Sequence, residues 1–257
     1  MYSDNQHVLH SGEKVTNNKL WLTFLLSLVL LAPVPYISFA QTDSDDELST
    51  VAAHMHEHLA RITTIKSFII GDNLDGVREP ATWLAEHDSV PGLPANFEPY
   101  VELMRVYARQ VVEAPDLKSA ADSVSRMARN CGNCHLVNNI ELEFGFDTKP
   151  ADLADTITHM QRHQWAADRL WEGLIGPSDA AWDRGTDMLV DVPLHSTDVM
   201  IETTSEVDSD MINQIAHRVH VLGGQGTITR TPDGRSDLYA ELLGLCVDCH
   251  TSLGRGP

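Results

Sequence analysis

One pentapeptide, used twice, constrains this chain more than any other feature. Cys131-Gly132-Asn133-Cys134-His135 returns as Cys246-Val247-Asp248-Cys249-His250, and the two copies take up all four cysteines of the sequence. Two thiols three residues apart lie on one side of a helical turn, where they can add to the two vinyl groups of one porphyrin. The adjacent histidine is then held under the ring and supplies the proximal nitrogen to iron. That spacing reads as covalent haem c attachment. Cys131, Cys134, Cys246 and Cys249 are therefore expected to form thioethers, and His135 and His250 to ligate iron, in a chain with two covalently bound haem c groups. A zinc-stapled structural protein is the competing reading, and it conflicts with the histidine that completes each copy.

Residues 1–40 read as a secretory signal peptide. Lys14 and Lys19 make a positive start, Leu20 to Ala32 is an uncharged apolar run, and Pro33 and Pro35 break it. Ser38-Phe39-Ala40 follows as a small-x-small site, so cleavage is expected near Ala40. The 13-residue run is short for a bilayer span, which needs about 20 residues. No stable membrane span is expected in the mature protein, an uncleaved anchor being the alternative.

Acidic residues number 37 against 18 basic ones, a formal net charge of −19. Nucleic acid is excluded as a partner, because phosphate contacts require a basic surface. Steering toward a redox partner with a basic docking surface is permitted, with an on-rate that falls as salt rises. Simple solubility of an exported acidic protein accounts for the charge equally well.

Low aromatic content and few strand signals predict an all-α chain. Val51, Met55, Leu59, Ile62, Ile65 and Ile69 fall at helical spacing, and Gly71-Asp72-Asn73 ends that helix. A second helix is expected from about Leu74 to His87, and a third from Pro99 to Glu113. A fourth, N-capped by Asp116, carries Ala120, Ala121, Val124, Met127 and Ala128 into the first motif.

The same order then recurs. His54-Met55-His56-Glu57-His58 is answered by His159-Met160-Gln161-Arg162-His163, and Gly71 by Gly176, both 105 positions on. Helices are expected from Pro177 to Val190, from Met211 to Leu222 and from Ser236 to Thr251, with Gly223 to Gly226 and Pro232 to Gly234 as a turn. The motifs are 115 apart, so the second half holds ten further residues, assigned to its loops. An internal duplication follows, with a first haem domain over 41–149 and a second over 150–257.

Only a few residues follow Cys246, so both haems must be enclosed by sequence that precedes them. In the common small cytochromes the attachment motif instead lies near the N-terminus. With the late motifs, Met55 and Gly71-x-x-Leu74, this chain resembles the class II cytochromes c, the cytochrome c′ group. The resemblance covers nearly all of the chain after residue 40, as two copies. It implies two tandem antiparallel four-helix bundles, each with its haem on the C-terminal helix, and a periplasmic location, where haem c is attached. Fusion of two copies and a histidine-rich first helix depart from the family pattern. Dimerisation through the first two helices, seen in related proteins, would here be supplied by the duplication.

The resemblance also implies that the first helix covers the distal face of each iron. Met55 and Met160 stand there, each 16 residues before its glycine, and are the candidate distal ligands. His58 and His163, at i+3 on the same face, are the competing ligands, and an open site is the third possibility. Core packing is the ordinary role of such a methionine. His54, His56 and His159 are expected to be solvated, and Trp83, Trp165, Trp171 and Trp182 to be core or haem-packing residues. The expected function is electron transfer between redox partners by a carrier that is not an enzyme. A cytochrome c′-like protein that binds or senses nitric oxide or carbon monoxide is the alternative. Dihaem peroxidases resemble fused small cytochromes with early motifs, which this chain does not.

Overall fold

A computed structural model describes residues 42–89, 91–145, 148–151, 156–191 and 209–254. The expected signal peptide and its cleavage site lie outside the described residues. Eight α-helices account for most of the rest: α1 (Thr42–Ile70), α2 (Arg78–Glu86), α3 (Glu98–Val112), α4 (Leu117–Val137), α5 (Thr156–Ile175), α6 (Asp179–Asp191), α7 (Ser209–Gly226) and α8 (Pro232–Ser252). A single 3-10 turn, Ala95–Phe97, leads into α3, and no strand occurs among the described residues. The expected all-α fold is observed.

Helix ends follow from local chemistry. Asp116 caps α4, its carboxylate accepting from the Ser119 N–H at 2.8 Å, as the sequence predicts. Helix α1 ends in a Schellman motif: Asn73 N–H donates to Phe68 O at 2.9 Å and Asp72 N–H to Ile69 O at 3.2 Å. The left-handed residue of that motif is Asp72, at φ 58°, rather than the neighbouring glycine. Aspartate tolerates this region better than most side chains do.

Two expectations about the second half are corrected. Thr231-Pro232-Asp233-Gly234 is the start of α8, not a turn. Thr231 Oγ1 accepts from the Gly234 N–H at 3.2 Å and Pro232 occupies the first turn, where its missing N–H costs nothing. Gly223 and Gly224 likewise lie inside α7 rather than after it. A side chain at Gly223 would come within 2.8 Å of Leu189 Cβ and 3.0 Å of the α6 backbone. Gly223 lets α6 and α7 approach closely, and neither glycine breaks the helix.

Within residues 42–137 each helix packs on the next, and α1 returns to α4. The pattern repeats as α5 on α6, α6 on α7, α7 on α8 and α5 on α8. The helices bearing the two motifs, α4 and α8, also pack along each other, and α4 touches α5. One continuous apolar core results, running from Ile62, Ile65 and Leu84 through Met127 and Ala128 to Leu170, Trp182, Tyr239 and Leu243. Trp171 and Trp182 are inside it, while Trp83 and Trp165 pack against it half-buried.

Polar contacts also cross between the halves. Lys66 of α1, only 4% exposed, pairs with Asp168 of α5 at 2.5 Å and lies 5.5 Å from the centre of the Trp171 ring. Removing one partner of a buried pair strands the other's charge, at about 3–5 kcal/mol. Asp168 is 37% exposed, so Asp168→Asn should cost less, about 2–3 kcal/mol in urea unfolding. Lys66→Met, which removes the charge and keeps the stem, should be close to neutral. A loss in Lys66→Met as large as in Asp168→Asn would refute the stranded-charge account.

Candidate functional site

Each motif occupies the last two turns of its helix, and each helix ends in the same way. His135 lies two residues before the end of α4, and His250 two residues before the end of α8. Ile140 N–H donates to His135 O at 2.9 Å, with Asn139 left-handed at φ 53°. At the end of α8, Gly254 takes the matching left-handed position at φ 61°. The duplication thus extends to backbone geometry around the motifs.

The two motif imidazoles are held by reciprocal contacts between the halves. His135 Nδ1 lies 2.7 Å from Ile175 O, the last carbonyl of α5. His250 Nδ1 lies 2.6 Å from Ile70 O, the last carbonyl of α1. A helix leaves its final carbonyls without intrahelical partners, and the Schellman bonds of α1 go to Phe68 and Ile69, leaving Ile70 O for the imidazole. At α5, Gly176 N–H donates to Glu172 O and Pro177 has no N–H. A carbonyl oxygen only accepts, so Nδ1 carries the proton in both rings, and in the neutral ring Nε2 keeps its lone pair. Burial holds the His135 imidazole below its usual pKa, partly offset by the Ile175 carbonyl, so the neutral form prevails.

The close approach behind the first of these contacts depends on Gly132. A Cβ there would fall 2.1 Å from Leu174 O. In the second motif the matching residue is Val247, which is buried.

Beside the second motif lies a predominantly apolar cavity of about 400 Å³. Cys246, Cys249 and His250 form one wall, Met160, His163 and Ala167 of α5 another, and Ile212, Ala216 and Val219 of α7 a third. Met160, Cys249, Ala216 and Leu253 all pack against Ile212. Ile70, at the end of α1, also reaches this wall. Both candidates named for the distal side of the second site therefore share a cavity with its thiols. Burial, then the neighbouring His159 and Arg162, depresses His163 to a pKa of about 3, so its ring is neutral.

The first half is arranged differently. Met55 is half-buried, whereas His58 is buried and turns toward α2, its ring edge-on to Trp83 at 5.6 Å and to His87 at 5.9 Å. His54 stacks on His87 at 4.9 Å, and His87 on Trp83 at 3.7 Å. Desolvation, followed by His54, His87 and Arg105, brings His58 down to about 3. Two expectations of solvated histidines thus fail: His54 belongs to this cluster, and His159 is only 6% exposed. His56 is exposed, as expected. Sequence reasoning missed His87, although it follows Trp83 by four residues at the end of α2.

None of the four cysteines is in a disulfide, and all four are half-buried as residues. Burial, reinforced by the partner cysteine, pushes the Cys131 and Cys246 thiols up to about 12. Burial also raises Cys134, against a contact from Asn138 that lowers it. Such thiols stay protonated at neutral pH. That is the opposite of the depressed thiol of a disulfide-exchange centre. The arginines near α4 are already committed: Arg105 to Glu102, Arg126 to Asp122, and Arg129 to Asp233 and Tyr107. Comparison with protein-family models, curated proteins and solved structures finds no match.

Proposed function

We propose that this chain is an exported, periplasmic dihaem c-type cytochrome of the class II kind, two tandem four-helix units passing electrons between partner proteins. The observation that carries the reading is the duplicated imidazole contact, His135 to Ile175 O and His250 to Ile70 O. An imidazole that donates through Nδ1 to a carbonyl is oriented, made more basic and left with Nε2 for a metal. The cavity suits the group: it joins two thiols, an oriented histidine and apolar walls, with Met160 and His163 opposite.

Bound there, haem supplies one-electron exchange at iron. The chain's own part is to anchor, orient and keep dry. Cys131 with Cys134, and Cys246 with Cys249, would anchor the group covalently. His135 and His250 would offer Nε2 to its iron, while the Ile175 and Ile70 carbonyls keep each imidazole from rotating. Ile212, Ala216 and Val219 exclude water from the second site, which raises the sensitivity of its potential to local dipoles. Because α4 and α8 pack antiparallel, Lys118 pairing with Asp248 and Arg129 with Asp233, the two centres would stand at opposite ends of that helix pair.

A pyridine haemochrome of the purified exported protein should show a c-type band with two haems per chain; no such band would sink the proposal. Carbon monoxide should leave the ferrous spectrum unchanged, whereas a change at either haem would favour gas binding. Met160→Leu should convert the second haem from low to high spin, read from its absorption and paramagnetic resonance spectra. An unchanged spectrum would remove Met160 as the ligand and turn attention to His163.

A further inference from the structure

We infer that His54, His58 and His87 form a separate binding site for one borderline divalent transition metal ion, of the zinc or copper class. This goes beyond the electron-transfer reading and does not depend on it. Three observations carry it. One potential ligand nitrogen from each ring lies within 4.8 Å of the others. His58 is 8% exposed, and its Nε2 is buried without a hydrogen-bond partner. Such an orphan costs about 1–3 kcal/mol and persists where something else satisfies it. The scaffold is also suitable: His54 and His58 stand one turn apart on α1, and His87 caps the end of α2.

Imidazole is the ligand that zinc, copper and nickel share. Three nitrogens around zinc, at 2.0–2.1 Å from the ion, lie about 3.3 Å apart. Up to roughly 1.5 Å of closure is therefore required. His54 and His87 are half-buried at the rim of the cluster, so rotation of those two side chains can supply it while His58 stays fixed. Three protein ligands leave a fourth position for water or another donor.

The charged groups facing the cluster are Glu57, which favours a cation, and Arg105, which opposes one. Arg105 is paired with Glu102 and donates to His87 O and Ser89 Oγ, so its charge is partly neutralised and held to one side. Among the described residues the three-histidine cluster occurs in the first half. The His54–His58 pair recurs as His159–His163, with ring centres 4.3 Å and 4.2 Å apart. The repeat offset, however, puts Val192 where the first half has His87. A filled site would occupy His58 and leave the first iron to Met55.

The test is calorimetric titration of the exported protein, as isolated, with zinc chloride at neutral pH, with metal content by mass spectrometry. One zinc ion per chain is expected, with micromolar or tighter affinity. His87→Ala should weaken binding by about 100-fold, and exposed His56→Ala by less than about twofold. His54→Gln gives a second reading should His87→Ala lose helicity, and should weaken binding similarly. Binding undiminished in both cluster variants, or absent at 100-fold above micromolar zinc, would overturn the proposal. So would a haem spectrum that changes in zinc-free His58→Ala, since that would assign His58 to iron. A protein that carries no haem but binds zinc through these histidines would defeat the electron-transfer reading alone.

Discussion

Replacing Cys246 and Cys249 together by serine is expected to leave the exported protein with one haem instead of two. Haemochrome absorbance and iron per chain should both halve. In the proposed reading each thiol pair serves one porphyrin, and the two pairs sit on different helices, α4 and α8. Serine is close to cysteine in size and makes no thioether, so the helix should survive while attachment fails. The His250 contact to Ile70 O involves neither thiol, so the end of α8 keeps its dock on α1. The converse pair, Cys131→Ser with Cys134→Ser, should remove the other half of the haem. Two haems retained in either variant would refute attachment at these sites. Complete loss in both would mean that the shared core makes the two attachments interdependent.

The second large effect is expected at Gly132. Gly132→Ala puts a methyl group 2.1 Å from Leu174 O and 3.3 Å from Leu174 C, more than 1 Å inside ordinary contact. The obstacle is backbone, not the end of a flexible side chain, so α4 and α5 must separate. Overpacking of this kind costs about 1–3 kcal/mol or more, against a gain of about 1 kcal/mol from alanine in a helix. A net loss of about 2 kcal/mol is expected, which for a chain of this size lowers Tm by roughly 4–8 °C. Separation also stretches the His135 contact to Ile175 O, so the spectrum of the first haem should change while that of the second does not. An unchanged Tm would show that α4 and α5 adjust freely, and that Gly132 does not set their spacing.

Most helices were legible because amphipathic spacing is local. The run from Val51 to Ile69, the Asp116 cap and the stop after Ile70 all stand as read. The misreadings share a cause. Thr231-Pro232 and Gly223-Gly224 carry residues that serve either a turn or a helix, and their neighbours in space decide which. Thr231 accepts a bond from Gly234, and Gly223 faces α6. His54 and His159 looked like solvated flanks of a histidine-rich helix, but packing on α2 and within the second half buries them to different degrees.

By itself the sequence determined the all-helical class and the recurrence of the Cys-x-x-Cys-His motif, since spacings of three, four and about a hundred residues can be counted along a chain. Only the tertiary structure decided what holds the motif histidines. Their partners are the backbone carbonyls of Ile175 and Ile70, 40 and 180 positions away. Every residue has a carbonyl, so no side-chain pattern marks these two. They become acceptors because they end helices whose last carbonyls lack intrahelical partners, and because α4 meets α5 and α8 meets α1 at those ends.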